Sequence, residues 1–454
     1  MAKQPPKILS GFMELLPAKQ RQMDRMVEIL RRTYALYGFS SIDTPIIQPS
    51  EVLLAKGGGE TEKQVYRFQR GDSDLCLRFD NTVPLAKYVA LHRNELVFPF
   101  RCCQIGKVYR GERAQRGRFR EFYQADIDII GDGALSPEND AEIPAIIYRA
   151  FSEMGLTRFK IRVNNRKILN GFYRIAGVAE NAVEVMRTID KLDKLGEDKV
   201  RAILSGELGI GAETTDRLLR FIEISGSNDE VLCRLAAYEG QDELFDSGLA
   251  ELRTVAGRLA AFGVPEENFS IDLTIARGLD YYTGTVYETT MTDHPEIGSV
   301  CSGGRYDDLA SLYCDDKLPG VGIAIGLTRL FYVLDEQGLL NRQLPTAPCD
   351  ALILPMTGDT APAAGLATML RAAGIRTQIY FEQKKFKQKM AYADRLGIPY
   401  VLFLGEDELA EGVVSCKDMA TGEQKKLTYE QAISELGAAL AGRAGIPVIA
   451  EPRL

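Results

Sequence analysis

Histidine is nearly absent: His92 and His294 are the two the chain contains. With so little imidazole, a zinc centre, a thiol–histidine pair or a serine–histidine nucleophile has little to be built from. The eight cysteines (Cys76, Cys102, Cys103, Cys233, Cys301, Cys314, Cys349 and Cys416) are scattered, with no C-x-x-C pair. That spacing suits reduced thiols in a cytoplasmic protein better than a disulfide framework or a metal knuckle. The adjacent Cys102 and Cys103 read as small apolar side chains in a strand. No apolar run approaches the roughly 20 residues that cross a bilayer. The opening Met-Ala-Lys-Gln-Pro-Pro-Lys has no apolar stretch behind its charges, so neither export nor membrane insertion is expected. Missing too is the glycine-lysine phosphate loop of P-loop ATPases. A net charge of −8 argues against general adhesion to nucleic acid, but leaves room for local basic patches. Two such patches are Arg113, Arg116, Arg118 and Arg120, and Lys384, Lys385, Lys387 and Lys389.

A chain of 454 residues, 45% of them apolar, exceeds what one hydrophobic core organises and reads as two to three globular domains. Pro17 opens a pattern in which Met23, Met26, Val27, Leu30, Tyr34 and Tyr37 recur at three- and four-residue spacing, an amphipathic helix with a core face. It runs into Gly38 and the segment 40–47, where Pro45 suits an edge or the end of a strand. Strand patterns follow at 63–69, 75–79, 97–108 and 122–130. From Lys167 to Phe262 the texture changes to helix formers, broken at Gly209-Ile210-Gly211 and Ser225-Gly226-Ser227. Strand material resumes at Phe269, so this helical block (167–262) is expected as an insertion into one domain made of 1–166 and 263–340. After a linker, 341–348, the region 349–454 alternates strands at 349–355, 376–380 and 400–404 with helices near 361–373 and through Ala393. That alternation predicts a small α/β domain with a substantially parallel sheet.

Three segments carry candidate chemistry. The run Ala276-Arg277-Gly278-Leu279-Asp280-Tyr281-Tyr282-Thr283-Gly284 places an arginine, an acid, two tyrosines and two glycines where a buried strand would alternate. It fits the wall of a polar small-molecule pocket, and taken alone it fits equally a surface hairpin whose Arg and Asp pair. Between Tyr109 and Asp128, two strand-like arms flank a loop holding Arg110, Arg113, Arg116, Arg118 and Arg120. Guanidinium forks match phosphate oxygens, so the arrangement suits a polyphosphate; the alternative is a solvated hairpin with pairs to Glu112 and Glu121. The stretch Gly320-Val321-Gly322-Ile323-Ala324-Ile325-Gly326 superficially offers a dinucleotide pattern, without the flanking strand and later acid that reading needs. It reads better as a glycine-flattened strand entering a helix, with Arg329 one turn in and directed at the same pocket.

Together these segments resemble motif 2, the histidine signature and motif 3 of the histidyl-tRNA synthetase family of class II aminoacyl-tRNA synthetases, and the likeness covers nearly the whole chain. The resemblance implies an α+β fold: an antiparallel sheet with helices, the inserted helical domain, and a C-terminal α/β domain like the anticodon-binding domain of the class. Pro45 resembles the motif 1 proline at the family's dimer interface, implying a homodimer. The implied reaction joins L-histidine to tRNA(His) through a histidyl-adenylate, with ATP as substrate and Mg²⁺ carried mainly on the ATP phosphates; no metal ligands are assigned. By resemblance, Arg110 contacts the α-phosphate and the substrate carboxylate, Arg118 and Arg329 hold the outer phosphates, and Phe122 stacks on adenine with Arg329 across the ring. Asp80, Thr82 and Gln124 take the α-amino group. Asp128 and Tyr282 take the two imidazole nitrogens, while Tyr281, Gly303, Gly304, Arg305 and Tyr306 complete the walls. Arg277 lies near the α-phosphate and does work that other class II enzymes assign to a metal. A pocket that pairs both ring nitrogens rejects isosteres lacking them, so no editing domain is expected. For tRNA, the loop residues Arg113, Gln115 and Arg116 would meet the acceptor end. Phe381, Gln383, Lys384, Lys385, Phe386 and Lys387 would meet the anticodon, against the alternative of a solvated amphipathic helix.

The chain departs from the family pattern in three places. Asp80 and Asp128 stand where many bacterial members carry Glu, which shortens the reach without removing charge. Thr328 replaces the Glu common before the motif 3 arginine, leaving a metal or water contact there without its acid. One rival reading is the histidine-sensing regulatory subunit of ATP phosphoribosyltransferase, a related chain without catalysis. Against it stand the full set Arg110, Arg118, Arg277 and Arg329 and the domain after Cys349. A class II synthetase for another amino acid is the second rival, opposed by the Tyr281-Tyr282 signature.

Overall fold

The computed structural model describes residues 5–55, 64–189, 192–275, 281–442 and 446–450. These group into two compact units: 5–14 with 27–339, and 15–26 with 340–450. The helix Pro17–Leu36 therefore contributes to both, which its uniform amphipathic pattern did not reveal. Met23, Met26, Leu30 and Tyr34 are buried along it, as the three- and four-residue spacing requires.

The first unit is built on an eight-stranded sheet. Its strands are β1 (Ser40–Ser41), β5 (Phe100–Tyr109), β6 (Glu121–Ile130), β7 (Phe159–Asn165), β8 (Phe269–Ile271), β9 (Thr285–Met291), β10 (Cys301–Tyr306) and β11 (Gly320–Gly326), in the order β1-β5-β6-β11-β10-β9-β7-β8. The two edge pairings, β1 with β5 and β7 with β8, are parallel; all those between are antiparallel. The segment 40–47, where Pro45 suits an edge strand or the end of a strand, is divided. Ser40–Ser41 joins this sheet, whereas β2 (Ile47–Pro49), beyond Pro45, joins a small sheet with β4 (Ser73–Leu77) and β3 (Arg67–Arg70).

β5 and β6 form a ten-residue ladder from Phe100↔Ile130 to Tyr109↔Glu121. Because side chains alternate faces along a strand, Ala125, Ile127 and Ile129 pack into core on one side. Gln124, Asp126 and Asp128 share the other, and all six are buried. Polar side chains in a row on a buried strand face mark the floor of a site, since an apolar core would exclude them.

Between β7 and β8 the chain is helical: Arg166–Ile175, Ala182–Ile189, Ala212–Ile222, Asn228–Ala236 and Glu243–Ala261 are its longer helices. Phe172 stacks on Phe221 at 3.6 Å, with Tyr238 and Phe245 edge-on or tilted around them. Gly171 and Gly248 let two of these helices touch, because a Cβ at either would lie within 2.7 Å of the other helix's backbone nitrogens.

The second unit carries β12 (Ala351–Pro355), β13 (Thr377–Ile379), β14 (Tyr400–Leu404), β15 (Val413–Asp418) and β16 (Gln424–Thr428), in the order β13-β12-β14-β15-β16. The first three pair in parallel, as the strand–helix alternation predicts, but β15 and β16 are antiparallel. The reason is a tight connection: β15 and β16 are joined through Gly422, whose φ of 78° is left-handed, so no crossover helix intervenes. Helices Ala361–Ala372 and Tyr429–Ala441 pack Leu366, Leu370 and Leu436 on one side of the sheet.

Candidate active site

The floor of the site is β6 and β11, and its rim is the Arg-rich loop joining β5 to β6. Gln115 and Arg118 exchange backbone hydrogen bonds across Gly117, whose φ is 70°. This turns the loop back so that Arg110 and Arg118 line one cavity of about 300 Å³ with Glu112, Phe122, Gln124 and Arg329. Arg110 donates from Nε to the Phe79 carbonyl at 3.0 Å, and its guanidinium carbon lies 5.2 Å from the Phe122 ring centre. The Arg329 guanidinium donates to the Ile297 carbonyl. Burial first, and the nearby Arg118 charge second, lower the Arg329 pKa. Two guanidiniums held close enough to repel one another are stabilised by an anion between them. The far wall, Ser299 to Ser302, also lines the cavity; sequence reading assigned nothing there, although Gly298 and Ser299 interrupt the pattern just before β10.

A narrow cleft of about 20 Å³ adjoins it, sharing Ala324, and is lined by Thr82, Asp126, Asp128, Tyr282, Tyr306 and Gly322. Asp128 accepts from the Tyr306 hydroxyl at 2.7 Å. Three glycines make room: a Cβ at Gly320 would fall on the Tyr306 ring, one at Gly322 on Asp128 Oδ1, and one at Gly304 would lie 3.0 Å from the Tyr282 ring. Tyr282 is supported from behind by Arg166, which donates to its carbonyl at 3.0 Å and sits 5.9 Å from its ring centre. No local signal in the sequence pairs these two residues.

Asp80 stands just before the helix Thr82–Leu91. Its Oδ1 accepts from the Val83 N–H at 3.1 Å, while its Oδ2 has no partner among the described residues. The segment bearing it is anchored by Arg78, whose buried guanidinium donates to the Lys107 and Thr44 carbonyls and to Asp43. Burial pushes Asp80 up to about 6, against the pull of the Val83 N–H and Arg110. Asp128 is pushed up to about 7, again by burial first, with the Tyr306 hydrogen bond opposing and the Asp80 charge adding.

Both carboxyls therefore hold protons in the folded state that they would release when unfolded at the same pH. With the unfolded values near 3.8, the folded state gains most below that value and loses this advantage as pH rises through about 6 and 7. The stability of the ligand-free protein, and with it the melting temperature, is expected to fall between about pH 4 and pH 7, by up to about 1.4 kcal/mol per pH unit for each group. Differential scanning calorimetry checks it: Asp128→Asn should flatten the slope, and an equally steep slope in that variant would refute the cause.

The expected site residues are brought together with some exceptions. Arg110, Arg118, Phe122, Gln124 and Arg329 line the larger cavity, and Thr82, Asp128 and Tyr282 line the smaller. Tyr281 is buried beside Tyr282 and Tyr306, with ring centres at 5.0 and 6.0 Å. Arg277 lies outside the described residues. Arg305 is not a wall of either cavity: it is buried against Asp140, at 2.6 Å, and reaches the Ser136 carbonyl. One residue from Tyr306 on a strand, it points to the opposite face. Thr328 is buried with its hydroxyl accepting from the Tyr123 N–H at 2.8 Å, so it joins the helix Leu327–Glu336 to β6. Among the described residues, no group of three or more His, Cys, Asp or Glu side chains is placed to hold a metal ion.

In the loop, Arg113 and Gln115 are exposed, and Arg116 pairs with Glu336 at 2.8 Å. In the second unit, Lys384, Lys385 and Lys387 are exposed beside Phe381 and Phe386, themselves 60% and 50% exposed. Lys389 leaves the basic patch: it is buried, and its Nζ donates to the Pro355 carbonyl at 3.1 Å.

A family model described as histidyl-tRNA synthetase matches residues 11–330, and one described as an anticodon binding domain matches residues 350–438. The histidine–tRNA ligase of Clostridium tetani (strain Massachusetts / E88) is 54% identical over 429 residues, covering 94% of this chain and 97% of that one. That of Xanthomonas axonopodis pv. citri (strain 306) is 48% identical over 456 residues, 95% of each chain. The crystal structure of histidyl-tRNA synthetase from Nostoc sp. PCC 7120 is similar with a TM-score of 0.88 at 40% identity, covering 96% of this chain and 100% of that one.

Proposed function

The chain belongs to the histidyl-tRNA synthetase family, and on that premise we propose how its residues divide the work of a histidine–tRNA ligase. Such a ligase activates L-histidine with ATP to an enzyme-held histidyl-adenylate, releases diphosphate, and passes the histidyl group to tRNA(His), releasing AMP. The observation that carries the reading is the adjoining of two cavities of opposite character. One is ringed by Arg110, Arg118 and Arg329; the other is floored by Asp126 and Asp128. The first suits the phosphates, and the second the cationic amino acid.

In this reading Arg118 and Arg329 hold the outer phosphates and Phe122 receives the adenine. Arg110 lies against the carboxylate and the α-phosphate, with Arg277 as the second cation there. Asp80 and Gln124 take the α-amino group. Asp128, fixed by Tyr306, and Tyr282 take the ring nitrogens; the cleft holds about one water as it stands, so lining side chains shift to admit the ring. Catalysis is then positioning and charge stabilisation: the histidine carboxylate attacks the α-phosphorus in line, and guanidiniums meet the charge that develops on the oxygens. Mg²⁺ carried on the ATP phosphates would supply neutralisation of the diphosphate leaving group, and Glu112, which lines that cavity, is the carboxylate that could contact it.

Adenylation is assigned to 1–166 and 263–340, with 167–262 as an inserted helical domain. After a linker at 341–348, the anticodon is assigned to 349–454. Exposed Phe381 and Phe386 offer stacking surfaces, and Lys384, Lys385 and Lys387 offer phosphate contacts. Arg113, Gln115 and Arg116 are assigned to the acceptor end. The working form is a cytoplasmic homodimer, supported by eight free cysteines and by the exposed apolar Ile46 and Ile47 next to Pro45 and Phe68 in the same small sheet as Ile47; sedimentation as a monomer at micromolar concentration would remove the dimer. Among the described residues, no helix is long and apolar enough to cross a membrane. The regulatory-subunit alternative is not favoured, because the anticodon-domain match gives the chain a module with no use in sensing histidine.

The test is exchange of labelled diphosphate into ATP. It should proceed with histidine and with none of the other standard amino acids. Histidine binding without exchange would return the reading to a histidine sensor.

A further inference from the structure

We propose that Asp126 is a substrate ligand, its carboxylate accepting from the α-ammonium group of bound histidine alongside Asp80 and Gln124. The proposal rests on the reading of this pocket as the histidine site and adds a residue to which sequence reading gave no role. Asp126 is 2% exposed and lines the small cleft. Asn81 stands near it, yet neither Asp126 oxygen has a hydrogen-bond partner of normal geometry among the described residues. Burial first, and the Asp128 and Asp80 charges next, push the Asp126 carboxyl well above the usual range, so it is protonated in the empty pocket and ionises when a cation beside it completes its acceptors.

Asp126 shares this state with neighbours that include the Asn81 amide beside it. Asp80 Oδ2 and Gln124 Oε1 are also buried without a partner among the described residues. Gln124 and Asp126 stand two apart on one face of β6, and Asp80 lies close enough for its charge to act on Asp126. An ammonium has three N–H donors and no acceptor, and Asp80, Gln124 and Asp126 offer it unmet acceptors on neighbouring elements. Thr82, the residue expected in this role, has a neighbour of its own, since its hydroxyl is close enough to the Tyr281 hydroxyl to lower that group's pKa. Charge agrees: Asp80, Asp126 and Asp128 crowd together, and among the described residues Arg110 is the cation acting on Asp80 and Asp126. A permanent cation among them relieves the repulsion; a neutral imidazole does not.

The experiment uses the full-length protein and three ligands. These are L-histidine, L-histidinol, which keeps the amine and lacks the carboxylate, and 3-(imidazol-4-yl)propionate, which lacks the amine. Binding is measured by calorimetry, with displacement for the weaker ligands, on the wild type, Asp126→Asn and Asp126→Ala. Loss of a charged hydrogen bond should weaken histidine and histidinol by roughly 10- to 100-fold and leave the deaminated analogue and ATP within about twofold. The ligand-free variants should melt at or above the wild-type temperature, because a buried acid without a hydrogen-bond partner has been replaced. A structural role would instead lower the melting temperature and weaken all ligands together, overturning the proposal. Equal loss of the deaminated analogue, histidine and histidinol at an unchanged melting temperature would move Asp126 to the ring and overturn the proposal, as would unchanged histidine binding. Failure of the wild type to bind histidine would instead defeat the pocket reading itself.

Discussion

Replacing Arg110 with alanine is expected to cut histidine-dependent diphosphate exchange by about 10³-fold, the scale seen when one preorganised donor to a developing charge is removed. The expectation follows from how the side chain is held. Its Nε is fixed on the Phe79 carbonyl and its guanidinium lies over Phe122, which leaves the terminal nitrogens to face the cavity. No reorganisation is needed as negative charge grows on the α-phosphate, and this is where fixed cations outperform water. Neither Arg118 nor Arg329 is free to replace it: Arg118 is 3.6 Å from Glu112, and Arg329 is tied to the Ile297 carbonyl. Arg110→Lys should recover only part of the loss, since an ammonium keeps the charge but cannot serve Phe79 and the phosphate at once. Exchange rates at saturating ATP and histidine check both variants. An alanine variant that retains a tenth of the wild-type rate would take Arg110 out of the chemical step.

Much of this site could be read from the chain, and the reason is periodicity. Gln124 and Asp128 lie on one face of β6 because they are an even number of residues apart, and the same rule includes Asp126; the alternation was the available signal for it. Tertiary choices were not legible. Nothing near Asp128 announces that its partner is Tyr306, 178 residues away, or that Gly322 must lack a side chain so that Asp128 fits. Alternation likewise says that Arg305 and Tyr306 face opposite ways, but not which of them faces the substrate. Arg305 proved to be committed to Asp140, a buried pair whose members are far apart in sequence. Thr328 looked like a lost acid; its hydroxyl is instead a backbone clamp on β6. Lys389 belonged to a basic run by composition, and its burial against Pro355 is decided by packing beneath the helix Phe386–Arg395. In the second unit, three strands followed the strand–helix rhythm, whereas the β15–β16 hairpin is short, polar on one side and without a helix between its arms, so its antiparallel pairing left little trace in the pattern.

Gly322→Ala is expected to raise the KM for histidine roughly 100-fold while moving the KM for ATP little. It is the more telling of the two variants, because it adds a methyl group and removes no functional atom. Gly322 lies opposite Asp128 across the β6–β11 ladder, and a Cβ there would lie 2.0 Å from Asp128 Oδ1 and 2.8 Å from the Ile127 carbonyl oxygen. The carboxylate has to turn away, which breaks its hydrogen bond from Tyr306 and withdraws the acceptor assigned to the imidazole. A pocket built to pair a polar ring loses discrimination as well as affinity when one partner is displaced. The larger cavity should be less affected, since Arg110, Arg118 and Arg329 sit on other elements and Gly322 lines only the cleft. Substituting Asp128→Asn in the same background supplies the control. If the glycine acts through Asp128, the double variant should be hardly worse than Gly322→Ala alone, a coupling that a thermodynamic cycle reads directly. Additive losses would mean that the methyl group acts elsewhere, and a histidine KM within threefold of wild type would mean that the cleft does not hold the ring.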